Sequence, residues 1–298
     1  MRDPEAYDRG FARLSSHTVQ PLLAAVTRDS AVTRDAAVTR DAAVTRGPAV
    51  TPGTAEPPGI AAPPGADVTA LPDGREAERR PERILDVGCG TGVVTAAALA
   101  AGAEVTAVDA DPAMLELVAR RHPAATVRRA TLPVLPFEDA SFDAVAGNFV
   151  VNHVADVPAT LAELRRVLRP GGAVALTWWK SDEMTATNVF AEALAAAGVP
   201  YEPPVRPFSA VERPERFAAS LAESGFTAVD VRTLRWRHLV DVAAWWSGVV
   251  EAGGPRFETI ARQPPETYAR VRACYDRMAA PYAGTGFPVC AHLARGIR

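Results

Sequence analysis

Two short groups of glycine and aspartate residues carry the most informative chemistry in this 298-residue sequence. In the run Ile84-Leu-Asp-Val-Gly-Cys-Gly-Thr-Gly92, an apolar stretch passes into glycines at alternating positions. Because Gly88 and Gly90 have no Cβ atom, a ligand can approach their backbone, and the start of a following helix presents N–H groups to it. Asp109 follows the next apolar stretch, and its carboxylate can accept both hydroxyls of a ribose. The pattern predicts a site for a nucleoside-bearing ligand.

Two other interpretations account for less of this pattern. A nicotinamide or flavin dinucleotide domain requires a third glycine three residues after the second, where this chain has Val93. A tight turn without any ligand explains the glycines, but it does not explain Asp109 at the end of the next predicted strand.

The elements that must position these residues follow an alternating order. From Glu82 onward, short apolar stretches alternate with amphipathic ones, which predicts an α/β fold with a doubly wound, mostly parallel sheet. We expect strands at 83–87, 104–108, 126–129, 142–148, 173–179 and 228–234, with His292 in a final strand. We expect helices at 93–101, 112–121, 157–168 and 214–224. Asp111-Pro112 marks a helix start, and Pro170-Gly171-Gly172 marks a helix end and a turn.

The sequence as a whole resembles the class I S-adenosylmethionine-dependent methyltransferases. Besides the glycine run, the resemblance rests on Leu135-Pro-Phe-Glu-Asp-Ala-Ser-Phe-Asp143 and Arg166-Val-Leu-Arg-Pro-Gly-Gly172. It covers roughly residues 82–298 and implies a seven-stranded Rossmann-like sheet with helical cap insertions at about 181–213 and 241–286. It also implies S-adenosyl-L-methionine as cofactor and methyl transfer to oxygen, nitrogen or carbon of a small-molecule acceptor.

The resemblance also implies which residues contact the cofactor. Contacts with the methionine part and the ribose fall on Asp86, Gly88, Cys89, Gly90 and Asp109. Contacts around the adenine and at the methionine end beyond the fourth strand fall on Ala110, Thr131, Leu132, Asn148 and Phe149. Many relatives carry an acidic residue near the adenine amino group, whereas the aligned position here is Thr131.

The acceptor chemistry needs alignment and exclusion of water more than a reactive side chain or a metal, because the methyl carbon is already activated. If the acceptor is a hydroxyl, a neutral histidine can take its proton, and His153 is the candidate general base. The alternative is that His153 is a hydrogen-bonded structural residue. Candidate acceptor contacts are Tyr7, Asn152, Trp179 and Trp246, although large aromatic residues also serve simply as packing.

The chain divides into three parts. Residues 1–24 form a predicted helical segment that packs on the later domain, with Tyr7 or His17 reaching the pocket. Residues 25–81 contain hexapeptides that begin Ala-Val-Thr-Arg, followed by Pro-Pro-Gly runs. Neither helical nor strand periodicity gives this stretch an apolar face, so we expect it to be disordered. Residues 82–298 form the predicted methyltransferase domain.

Composition excludes several classes of partner. A formal net charge of −3 gives no basic footprint for nucleic acid, and Asn148-Phe-Val-Val151 is not the Asn/Asp-Pro-Pro-aromatic motif of nucleic-acid amino methyltransferases. No run is long and apolar enough for a membrane span, and three scattered cysteines fit neither a disulfide framework nor a paired metal motif. We expect a cytoplasmic monomer or homodimer. The remaining alternative is a protein of the same fold that binds or senses the cofactor without transferring its methyl group.

Overall fold

The computed structural model of the protein describes residues 4–27 and 82–298. Its centre is a seven-stranded sheet in the order β3-β2-β1-β4-β5-β7-β6, with β1 to β5 parallel and β7 antiparallel to both of its neighbours. The strands are β1 (Arg83–Val87), β2 (Glu104–Asp109), β3 (Thr126–Arg129), β4 (Phe142–Asn148), β5 (Leu168–Trp179), β6 (Thr227–His238) and β7 (Phe287–Ile297). All but the first three residues of the predicted low-complexity stretch 25–81 lie outside the described residues.

Helices connect and cover these strands. They are α1 (Pro4–Tyr7), α2 (Arg13–Ser15), α3 (Val19–Val26), α4 (Val93–Ala100), α5 (Pro112–Arg121), α6 (Val157–Val167), α7 (Thr185–Ala196), α8 (Pro214–Glu223), α9 (Val242–Ala252), α10 (Pro255–Ala261) and α11 (Pro265–Ala279). Asp111 and Asp156 accept the N–H groups of Ala113 and Ala159, which would otherwise lack partners at the helix starts. Within the described ranges, no helix is long and apolar enough to cross a membrane.

Two strands differ from the prediction at their ends. β5 already begins at Leu168, directly after α6, so the predicted turn at Pro170-Gly171-Gly172 lies within the strand, where its pairing register with β4 shifts between Leu168 and Ala173. Gly172 and the end of β7 are bonded to each other, since Arg298 donates its N–H to the Gly172 carbonyl. A Cβ on Gly172 would lie 2.8 Å from the Asp143 carbonyl oxygen, so this close approach of strands requires glycine. At the other edge, β6 extends to His238, four residues beyond its predicted end.

Apolar side chains cover both faces of the sheet, as expected for a doubly wound fold. On one face, α3 and α4 pack through residues such as Leu22 and Val94 against β1, β2 and β7. On the other face, α6 and α8 pack against β4 and β5 and form the main core, which includes Leu164, Phe217 and Trp178. The predicted Rossmann-like architecture is therefore confirmed.

A second apolar cluster forms a helical cap from α7, α9, α10 and α11. Its largest buried side chains are Phe190, Trp245, Trp246 and Tyr275, and Leu14 of the N-terminal segment joins them. The two predicted insertions supply all four of these helices. One part of the first insertion, the 3-10 turn Pro207–Ala210, does not join the cap and packs on the main core through Phe208.

Candidate active site

The turn between β1 and α4 brings the predicted glycines to the carboxyl edge of the sheet. Gly88 and Gly90 have φ angles of +68° and +51°, which glycine adopts at little cost. A Cβ on Gly88 would collide with the Val150 side chain, so this glycine makes room for the loop after β4 and not for a ligand. A Cβ on Gly90 would meet nothing within 4 Å. The open side of the turn therefore lies at Gly90.

The backbone N–H groups of this turn are already bonded within the protein. Gly88 and Cys89 both donate to the Val108 carbonyl, at 2.8 and 3.0 Å, and Gly90 donates to Asp109 Oδ2 at 2.9 Å. These N–H groups are therefore already occupied, and the predicted contact of this backbone with the cofactor stays a prediction. They fix the glycine turn to β2 and so set its shape.

Cys89 does not face the open side of the turn. Its side chain is buried in a small cluster with Ala107, Leu115 and Val118, between the turn and α5. Burial raises the pKa of its thiol well above the usual range, with the charges of Asp86 and Asp109 acting in the same direction. The thiol is therefore a packing group.

Asp109 is held in place at the end of β2. Besides the Gly90 N–H, its carboxylate accepts the Asp111 N–H at Oδ1, at 2.9 Å. Each carboxylate oxygen can accept two hydrogen bonds, so each retains capacity for one more. That capacity fits the two hydroxyls of a ribose. Ala110, the predicted adenine neighbour, is exposed directly beside it.

Asp86 is the most deeply buried ionisable group of the site, with 1% of its surface exposed. Thr95 donates its hydroxyl hydrogen to Asp86 Oδ2 at 2.6 Å, whereas Asp86 Oδ1 has no partner among the described residues. Burial raises the pKa of this carboxyl to about 7, and the nearby charge of Asp109 also raises it. A buried acceptor without a partner fits the ammonium group of a methionine part.

The predicted adenine residues lie in the loop after β3. Thr131 is exposed and forms an isolated bridge with Val134. Leu132 is partly buried against the main core, so its side chain contributes to packing. Their contact with the adenine stays a prediction.

Asn148, at the end of β4, is committed to bonds within the protein. Thr177 donates its hydroxyl hydrogen to Asn148 Oδ1 at 2.7 Å, and the Thr18 hydroxyl lies at the same distance from that oxygen. The Asn148 amide group donates to the Ser15 carbonyl at 3.2 Å. The side chain expected to contact the cofactor therefore joins β4, β5 and the N-terminal segment.

Phe149 and Trp179 form an aromatic wall at the same edge. Their rings stack with centroids 3.5 Å apart and planes 9° apart. Phe149 has a φ of +61°, and its N–H donates to the Thr177 hydroxyl at 2.9 Å. A positive φ at a residue other than glycine costs about 1 to 3 kcal/mol, and it persists only where the surrounding structure enforces it. The wall fits the predicted methionine end of the cofactor site.

The N-terminal residues 4–18, here called the strap, contact both this edge of the sheet and the helical cap. Asp8 pairs with Arg121 of α5 at 2.9 Å, and Arg9 pairs with Glu251 of α9 at 3.2 Å. Further along the chain, Ser15 and Thr18 of the strap contact the Asn148 side chain at the end of β4. The strap therefore connects the sheet edge to the helical cap.

The predicted acceptor residues fall in three different environments. Tyr7 lies in the strap, with its ring 5.5 Å from that of Phe11. Asn152 is buried, its Oδ1 has no partner among the described residues, and His153 next to it is exposed. Trp246 does not fit an acceptor contact, because it is 1% exposed inside the cap and its Nε1–H donates to the Tyr268 hydroxyl. It is a packing residue.

Sequence reasoning missed two residues at this edge, Trp236 and His238. We expected His238 to lie beyond the sixth strand, but it is the last residue of β6 and is buried. The signal that was available is the alternation of Leu234, Trp236 and His238, which share one face of the strand.

Comparison with known proteins agrees with this geometry. Residues 85–176 match the family model described as a methyltransferase domain. The chain is 43% identical over 100 residues to a malonyl-[acyl-carrier protein] O-methyltransferase of Pseudescherichia vulneris, covering 34% of this chain and 40% of that protein. It is 46% identical over 99 residues to a demethylmenaquinone methyltransferase of Clavibacter sepedonicus, covering 32% of this chain and 40% of that protein. The alignments thus span about two fifths of these relatives.

A solved structure of Haemonchus contortus phosphoethanolamine N-methyltransferase 2 aligns with 73% of this chain and 49% of its own, at 19% identity and a TM-score of 0.45. The sheet order, the glycine turn and the family match together define a Rossmann-like methyltransferase fold. The match over residues 85–176 supports the predicted resemblance to the class I S-adenosylmethionine-dependent methyltransferases.

Proposed function

We propose that the protein is an enzyme that transfers the methyl group of S-adenosylmethionine to a small-molecule acceptor. The observation that carries the proposal is the open side of the glycine turn at Gly90, with the oriented carboxylate of Asp109 beside it. When bound, the cofactor supplies a methyl group activated by its sulfonium.

The residues of the chain supply binding, orientation and exclusion of water. Asp109 accepts the ribose hydroxyls, and Asp86 Oδ1 accepts the ammonium group. The wall formed by Phe149 and Trp179 keeps water from the methionine end, and the strap covers the edge above it. In a displacement at an activated carbon, these effects account for much of the rate enhancement.

The acceptor is not carried over from the relatives. The two proteins named above act on different molecules according to their names, and each alignment includes about a third of this chain. The helical cap begins after residue 176, where the family match ends. The acceptor must therefore be inferred from the residues of this chain.

Calorimetry with S-adenosylmethionine and with S-adenosylhomocysteine tests cofactor binding, and we expect both to bind. Incubation with cofactor labelled in the methyl group and a small-molecule extract tests the transfer. Labelled small products are expected. Binding without any labelled product would favour the sensory alternative, and failure of both compounds to bind would refute the proposal.

A further inference from the structure

Three buried polar atoms at the end of β6 have no hydrogen-bond partner among the described residues. His238 is 3% exposed, and neither of its ring nitrogens has a hydrogen-bond partner among the described residues. The indole Nε1 of Trp236, two residues earlier and on the same face of the strand, is also buried without a partner. Buried polar groups are normally hydrogen-bonded, and each one that is not destabilises the fold. Binding of a ligand to these three atoms would explain why they have no partner within the protein.

Aromatic rings surround these atoms. His17 of the strap stacks on Trp236 with centroids 5.6 Å apart, and it meets the His238 ring edge-on at 6.3 Å. Trp245 of the cap lies 4.8 Å from His238, and Trp179 lies 6.0 Å from Trp236. We call these five residues the aromatic cluster. His17 is exposed, and Trp179 and Trp236 are half-buried, so the cluster is open to solvent on the strap side.

The sheet register places the aromatic cluster at the same edge of the sheet as the proposed cofactor site. Leu234 of β6 and Trp179 of β5 both pair with Ala291 of β7. Trp236 and His238 therefore extend past the end of β5 at the carboxyl edge of the sheet, the same edge on which Asp109 lies five strands away, at the end of β2. Because Trp179 also stacks on Phe149, the aromatic surface is continuous from the end of β4 to His238.

The charge state of His238 limits which ligands suit it. Burial lowers the pKa of His238 to about 4, and the charges of His17 and Arg13 also lower it. The ring is therefore neutral near pH 7, with one N–H donor and one acceptor nitrogen. Together with the Trp236 N–H, it offers two donors and one acceptor. A hydroxyl group, which both donates and accepts, matches this set, and the flat faces match an aromatic ring.

We infer that the aromatic cluster is the acceptor site, and that the acceptor is a flat aromatic molecule whose hydroxyl group binds His238 and the Trp236 indole N–H. The inference rests on the proposed function, since it names the acceptor class for the same site. His238 acts in it as a recognition group that orients the hydroxyl toward the cofactor.

The test is calorimetric titration of the full-length protein with 2-naphthol in the presence of S-adenosylhomocysteine, so that no turnover occurs. We expect 2-naphthol to bind and naphthalene, which lacks the hydroxyl, to bind at least tenfold more weakly. His238→Phe and Trp236→Phe should each weaken 2-naphthol binding at least tenfold and leave the affinity for S-adenosylhomocysteine unchanged. Trp178→Phe is the matched control, because Trp178 is buried in the main core and already donates to the Glu212 carbonyl.

A second measurement does not depend on whether the variants fold. In the unmodified protein, the Trp236 indole N–H proton resonance should shift downfield when 2-naphthol is added. No binding of 2-naphthol, equal binding of naphthalene, or an unshifted Trp236 resonance would overturn the inference. A separate titration with S-adenosylhomocysteine alone distinguishes the two proposals. If S-adenosylhomocysteine does not bind, the proposed function fails, whereas if it binds and 2-naphthol does not, only this inference fails.

Discussion

Asp109 is oriented before any ligand arrives. Two backbone N–H groups, from Gly90 and Asp111, hold its carboxylate oxygens. Rigid first contacts of this kind lower the entropy lost on binding, because the side chain is already confined to one rotamer. The same bonds join the glycine turn to β2, so the two parts of the motif act as one unit.

Asp109→Ala should weaken binding of S-adenosylhomocysteine. Hydrogen bonds to a charged group contribute about 1.5 to 3 kcal/mol, which corresponds to roughly a 10- to 150-fold rise in Kd. Calorimetry measures the change. Asp230→Ala, at an exposed position on β6, is the control and should bind normally. Equal affinities in the two folded variants would remove Asp109 from the site.

Asp86→Asn should change how stability depends on pH. In the unfolded chain this carboxyl loses its proton near its ordinary pKa of 3.8, whereas in the folded protein it keeps the proton up to about pH 7. Asp86 therefore destabilises the fold progressively as the pH rises from about 4 to 7, and the loss is complete above that range. Asparagine has the same shape and no charge, so it avoids this loss.

Melting curves at several pH values between 4 and 8 measure this effect. The melting temperature of Asp86→Asn, relative to that of the unmodified protein, should rise across this window and level off above pH 7. Asp230→Asn is the exposed counterpart and should show no such trend. A pH-independent difference for Asp86→Asn would mean that Asp86 ionises normally.

His153→Ala should lower turnover by roughly a hundredfold or more if His153 takes the acceptor proton, with unchanged cofactor affinity. His153 is exposed in the 3-10 turn Val151–His153, directly after β4. Turnover against pH, measured for both proteins, is the readout. Near-normal turnover with the same pH profile would make His153 a structural residue.

At the scale of elements, the strap is joined to the sheet at Asn148, whose side chain bonds with both Thr18 and the Ser15 carbonyl. Thr18→Val keeps the side-chain volume and removes the hydroxyl. Loss of one hydrogen bond of about 1 kcal/mol should raise the open population of the strap about fivefold. Limited digestion with trypsin at Arg13 should accelerate by this factor, and S-adenosylhomocysteine should slow it.

Ser16→Ala provides the comparison for the strap, because the Ser16 hydroxyl is exposed and donates to the Arg13 carbonyl within the strap itself. Its digestion rate should stay close to that of the unmodified protein. If both variants were digested alike, the contact between Thr18 and Asn148 would not hold the strap.

The sequence predicts those elements whose determinants are local. The starts of α5 and α6 follow from Asp residues that cap their own helix, and the glycine turn follows from a contiguous motif. The end of β6 was not predicted, because exposed Arg235 and Arg237 interrupt the apolar pattern there. His238 was missed for a related reason. It is buried by His17 and Trp245, which belong to other elements, and no local spacing indicates that they meet.

At the scale of the whole molecule, deleting residues 31–78 should leave the melting temperature and cofactor affinity nearly unchanged. Thr27 and Glu82 line the same surface depression, so a short connection can join the two described parts. Long connections also cost little additional entropy. Thermal melts and calorimetry of the shortened protein are the measurements. A fall of many degrees would show that the deleted residues pack on the rest.

Helix α3 depends on strands that lie far along the chain. It buries Leu22 and Val26 against the sheet, and Arg295 of β7 donates to the Ala25 carbonyl across 270 residues of sequence. At a synthesis rate of about 5 to 20 residues per second, the ribosome takes roughly 15 to 55 s to make this interval. Throughout that time, the apolar face of α3 has no completed sheet to cover it. Completion of β7 then closes the sheet and supplies the docking surface for α3. Chaperones that recognise apolar segments therefore bind mainly to nascent chains in which β7 is not yet complete.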